Sequence, residues 1–189
     1  MRVRSWITAG MVTIGTLAGS VPPASAASPP PSLWRLTDLS AQRVQIADKV
    51  AAAKFGTPAP IDDPVREQQI FDSVAAKAPA LGLDPASVVA FFRDQIEANK
   101  LVQRGLYSRW TAHPGEQPTT RPDLATEVRP VIDRLNTGLL DTLAATRQTR
   151  AARTCELRLA VNVRTVDVVR HLDRLHASAL SESVGSACG

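Results

Sequence analysis

Apolar residues recur at three- and four-residue intervals along most of the chain, and no convincing stretch alternates with a period of two. From Thr37 or Asp38, either of which can cap a helix, this pattern runs to about Phe55, with Leu39 and Val50 on the buried stripe. The segment GTPAP at residues 56–60 ends it. A shorter periodic segment spans Pro64 to Ala76. After PALGLDPAS (79–87), where Asp84 is a good cap and Pro85 suits the first helical position, the spacing of Val88, Phe92, Ile96 and Leu106 predicts a helix to about Trp110. The loop TAHPGEQPTTRPD (111–123) then separates off a last helical half that begins near Asp123 or Thr126. The predicted fold class is all-α, a single-domain helical bundle, and no repeat of 20–50 residues is visible.

The first residues do not belong to that bundle. Arg2 and Arg4 precede an apolar run from Trp6 to Ala18, and Ala24-Ser25-Ala26 offers small residues for cleavage, so residues 1–26 read as a signal peptide and 27–189 as the mature domain. The run contains Gly10 and Gly15 and falls short of the ~20 residues of a spanning helix, so no membrane association is expected after cleavage. The chain is then secreted or periplasmic. Removing Arg2 and Arg4 takes the 22 basic residues to 20 against 18 acidic ones, a net charge of +2. With 4% aromatic residues and no basic run interleaved with them, nucleic acid is not expected as a partner.

Two cysteines, Cys155 and Cys188, are most simply one disulfide in an oxidising compartment. A disulfide needs Cα atoms within ~7 Å, whereas a straight helix over that span would be ~50 Å long. The C-terminal segment must therefore double back, and a break near RHLDR (170–174) would give a helical hairpin closed by the disulfide.

The usual catalytic constellations are missing. His113, His171 and His176 lack metal-ligand spacing and read as surface or cap-side residues, and there is no glycine-rich phosphate loop, nucleophile elbow or H-E-x-x-H. Neither a metal nor another cofactor is expected. What remains are cations at helical spacing. Arg43 and Lys54, eleven residues apart, fall within about 20° of one helical face and about 16 Å apart along it. Arg66 follows across a turn, Asn99 and Gln103 are an i,i+4 polar pair, and Asp63 and Glu67 are also four apart. Spacing alone favours a solvated face, with Asp63 as a helix cap.

The segments AQRVQIADKVAAAKF, PIDDPVREQQI and LDPASVVAFFRDQIEANKLVQRGLYSRW, with the two late cysteines, resemble the all-helical chorismate mutases, specifically the exported mycobacterial-type subclass. The ordered series Arg43, Lys54, Asp63, Arg66, Asn99 and Gln103 carries the resemblance. It implies a rearrangement of chorismate to prephenate that needs no nucleophile, acid or metal. By the family's pattern Lys54 and Gln103 would donate to the ether oxygen, Arg43 and Arg66 would hold the carboxylates, and Asn99 would line the site. Asp63 and Glu67 would face the ring hydroxyl, with Ile70 standing where exported relatives carry Gln.

The resemblance also implies a homodimer whose sites are each built from one chain, with a later arginine completing them. Arg129 is the best match, but Pro130 disfavours helical geometry at Arg129, which leaves Arg121 and Arg134 as alternatives. The competing reading is an exported helical module that binds a dianion or a host partner without catalysis.

Overall fold

The computed structural model describes residues 33–188; the segment read as a signal peptide lies outside the described residues. No strand occurs among the described residues, and none of their helices is long and apolar enough to cross a membrane. The chain forms α1 (Leu33–Gln45), α2 (Ala47–Lys54), α3 (Pro64–Lys77), α4 (Pro85–Ala112), α5 (Arg129–Ala145), the single turn α6 (Arg147–Arg150), α7 (Cys155–Val169) and α8 (Arg174–Ser183).

The predicted first helix begins earlier and is broken. Thr37 and Asp38 are not caps: Thr37 Oγ1 donates back to the Leu33 carbonyl within α1, and Asp38 receives Arg170 Nε at 2.6 Å. α1 and α2 meet at a turn around Ile46, which no proline or glycine announces. The later boundaries follow local chemistry. Asp63 accepts from the backbone N–H of Arg66, and Pro64 takes the first helical position of α3. Asp84 and Pro85 repeat the arrangement at α4.

α4 is the spine of the bundle. Its first half places Val88, Phe91, Phe92 and Ile96 in a core with Leu33, Leu36 and Leu39 of α1 and Leu139, Leu140 and Leu143 of α5. Its second half places Ala98, Val102, Leu106 and Trp110 in a separate cluster with Val44, Ala47 and Ala51. Small alanines on α2 and α4 let those two helices approach closely. Interleaved with the start of the second stretch, α4 carries Asn99, Lys100 and Gln103, all buried, and this polar set marks the site.

The C-terminal hairpin turns between Val169 and Arg174, where His171 adopts a left-handed conformation with φ 50°. Cys155 at the start of α7 and Cys188 beyond α8 are joined with their Cα atoms 5.8 Å apart. Of the two expectations for the histidines, surface or cap-side, His176 meets the second and not the first. It is 8% exposed, with Nδ1 2.7 Å from Asp173, which caps α8, and Nε2 2.8 Å from Asp48 on α2.

Candidate active site

One pocket is lined by residues of α1 to α5 and of the two loops that precede α3 and α5. Arg43, Lys54, Asp63, Arg66, Glu67, Asn99, Gln103 and Arg129 all contribute to its wall, with Val50, Ile61, Ile70, Ile96, Leu124, Val128 and Ile132 as apolar walls.

α1 supplies Arg43, whose side chain crosses the interior to α5. Its Nε donates to Asn136 Oδ1 at 2.9 Å, and its carbonyl accepts from Asn99 Nδ2 at 3.3 Å. Burial pushes the guanidinium down to about 10, partly offset by Asp133 and reinforced by Arg66, so it stays charged at neutral pH.

Lys54, at the end of α2, donates to the Pro60 carbonyl at 2.7 Å. Burial lowers its pKa as well, with Asp63 opposing and Arg129 adding to the effect. Arg66 is held on α3 by its backbone bond to Asp63, while its Nη2 pairs with Asp133 Oδ1 at 3.3 Å.

α4 contributes an ordered amide chain. Because the Arg43 carbonyl can only accept, Asn99 must turn Nδ2 toward it and Oδ1 toward Gln103, whose Nε2 donates at 2.8 Å. That leaves Gln103 one N–H for a pocket ligand, while its buried Oε1 has no hydrogen-bond partner among the described residues.

α5 supplies the last cation. Asp123 caps a wide turn over Leu124–Val128, in which Val128 N–H reaches back five residues to the Asp123 carbonyl, and Arg129 opens the regular helix. Arg129 has helical dihedrals of −57° and −41° in spite of Pro130. In a regular helix the proline ring would collide with the carbonyl four residues back; the wider turn removes that neighbour. Of the two alternative arginines, Arg121 instead donates to the Phe55 carbonyl and Arg134 is exposed on α5, and neither lines the pocket.

Three polar residues of this region were not singled out from sequence. Asp133 and Asn136 lie on α5 one and two turns beyond Arg129 and fix Arg66 and Arg43 respectively. Only the recurrence of polar residues at 129, 133 and 136 on one helical face hinted at them. Lys100 is 7% exposed and lines the pocket beside Asn99, ion-paired with Asp62, Glu67 and Glu97.

Five cations against two carboxylates around the pocket suit a small dianion. Among the described residues no group of three His, Cys, Asp or Glu could hold a metal ion.

The family model for chorismate mutase type II matches residues 35–104. Over 177 residues, 94% of this chain and 97% of the relative, the sequence is 35% identical to the secreted chorismate mutase of Mycolicibacterium smegmatis. The secreted chorismate mutase of Mycobacterium tuberculosis is 32% identical over 191 residues, 99% of this chain and 96% of its own. The crystal structure of chorismate mutase from Burkholderia thailandensis superposes with a TM-score of 0.79 at 36% identity, covering 82% of this chain and 98% of that one.

Proposed function

The chain belongs to the chorismate mutase family, and from that premise we propose that its pocket converts chorismate to prephenate outside the cytoplasm. The reaction is a pericyclic shift: an ether C–O bond breaks while a C–C bond forms, and no proton or leaving group moves. The protein's task is to hold the compact conformer and to stabilise charge that develops on the ether oxygen.

In this reading Arg43, Arg66 and Arg129 grip the two carboxylates, which arginine forks match with paired charge-assisted hydrogen bonds. Lys54 and the second N–H of Gln103 donate to the ether oxygen, where negative charge grows in the transition state. Asp63 and Glu67 accept from the ring hydroxyl. The observation that supports this most strongly is the convergence of Arg43, Lys54, Arg66 and Arg129 with an oriented Gln103 around one pocket lined by no Ser, Thr, Cys or His.

The test is chorismate disappearance by ultraviolet absorbance, with acid conversion of prephenate to phenylpyruvate, on residues 27–189 and on Lys54→Ala and Arg66→Ala. Turnover by the wild type that is lost in both folded variants supports the mutase. A folded wild type that binds chorismate without consuming it makes the protein a dianion-binding module.

Export rests on the N-terminal pattern and on the names of the mycobacterial relatives, and predicts a mature protein beginning at Ala27, readable by N-terminal sequencing. Self-association as a homodimer is supported by exposed Leu157, Val161 and Val168 on one face of α7. Light scattering on the purified mature chain tests it, and a monomer at micromolar concentration would exclude it.

A further inference from the structure

We infer that Lys100 is a positioning residue for recognition of the substrate's ring hydroxyl: its ammonium holds Glu67 as the acceptor and does not itself touch the substrate. This deepens the mutase reading and rests on it.

Lys100 follows Asn99 on α4, and its side chain is 9% exposed. Its Nζ lies 2.6 Å from Glu97 Oε1, 3.3 Å from Asp62 Oδ1 and 3.3 Å from both oxygens of Glu67. An ammonium has three N–H groups, and here three carboxylates surround it. No donor remains for a ligand. Lys54 differs, since its Nζ donates only to the Pro60 carbonyl. Two lysines therefore line one pocket, and only one has donors to offer.

The acceptor side complements this. Glu67 Oε1 accepts from the Asp63 backbone N–H at 3.2 Å and from Lys100, whereas Oε2 accepts from Lys100 alone. An ionised carboxylate has roughly four lone-pair sites, so Oε2 keeps one for a hydroxyl donor. A carboxylate that faces a dianionic substrate needs its own charge offset nearby, and Lys100 supplies it. Asp62, shared with Arg104 at 2.7 Å, ties the loop before α3 to the same ammonium.

The experiment compares kcat and KM for chorismate and for its analogue lacking the ring hydroxyl, in wild type, Lys100→Met, Glu67→Gln and the double variant. Lys100→Met should lower kcat/KM for chorismate at least tenfold, mainly through KM, and leave the analogue within about threefold of wild type. The double variant should lose no more than Glu67→Gln alone, because the uncharged amide introduced at position 67 needs no counter-ion, and Lys100→Arg should recover part of the loss. If Lys100→Met does not fold, Lys100→Gln makes the same comparison. Equal losses on both substrates, or no loss on chorismate, in an enzyme whose wild type is active, overturn this inference and leave the mutase standing. A wild type that turns over neither substrate overturns both.

Discussion

Asn99 Oδ1 accepts from Gln103 Nε2 one helical turn later at 2.8 Å, and Asn99 is itself fixed by the carbonyl of Arg43. A buried amide would otherwise be free to flip and present Oε1 to the pocket. Asn99→Ala should therefore lower kcat about tenfold, equivalent to about 1.4 kcal/mol, with a smaller change in KM. Steady-state kinetics checks this, and an unchanged kcat would remove the orienting role.

Gln103 can donate at any pH, whereas a carboxyl in its place must be protonated first. Wild-type kcat should accordingly be flat from pH 5 to 7. Gln103→Glu should lose about tenfold per pH unit once its carboxyl ionises. A flat profile for the variant would place Gln103 away from the developing charge.

Lys54 must carry its proton to donate, and burial lowers its pKa below the usual lysine value. Because the charged form is the active one, kcat/KM should decline as pH rises through that lowered value. Lys54→Arg, which keeps its charge at higher pH, should lose the alkaline decline even if its overall rate is poor.

The imidazolium of His176 is held up to about 9, first by its hydrogen bond to Asp48, against burial, and further by Asp173. Its folded pKa lies above the unfolded value near 6.5, so the contribution is complete below about pH 6.5 and is lost as pH rises through 9. Since both carboxylates are half exposed, the effect is about 1–2 kcal/mol. Thermal melts should show His176→Gln less stable than wild type at pH 6, with the gap closing by pH 10.

The Cys155–Cys188 bond closes a loop across a separation of 33 residues, which the chain-entropy model values at about 3–4 kcal/mol. Reduction or Cys155→Ala/Cys188→Ala should lower the melting temperature by several degrees and leave kcat nearly unchanged, since neither cysteine lines the active pocket.

What could be read before folding was local chemistry. Asp63, Asp84 and their prolines announce the starts of α3 and α4, and the cysteine pair forces the late hairpin near Arg170. The break at Ile46 was not legible, because α1 and α2 share one uninterrupted apolar periodicity. Arg129 shows a local rule outweighed: Pro130 argues against helix there, but the turn capped by Asp123 makes room for it. The roles of Lys100, Asp133 and Asn136 were hidden for another reason. Each acts through a partner 30 or more residues away, and spacing along a single helix shows a polar face without showing which distant residue it meets.

Arg129 reaches the pocket from the same chain that supplies Arg43, Lys54 and Arg66. A catalyst assembled from two chains stops working once dilution carries it below its dissociation constant, and a protein released from a cell has no control over its own concentration. Turnover per chain should therefore stay constant down to nanomolar protein, whether or not subunits remain together. Supply of these cations in cis would free an exported chorismate mutase from that dependence.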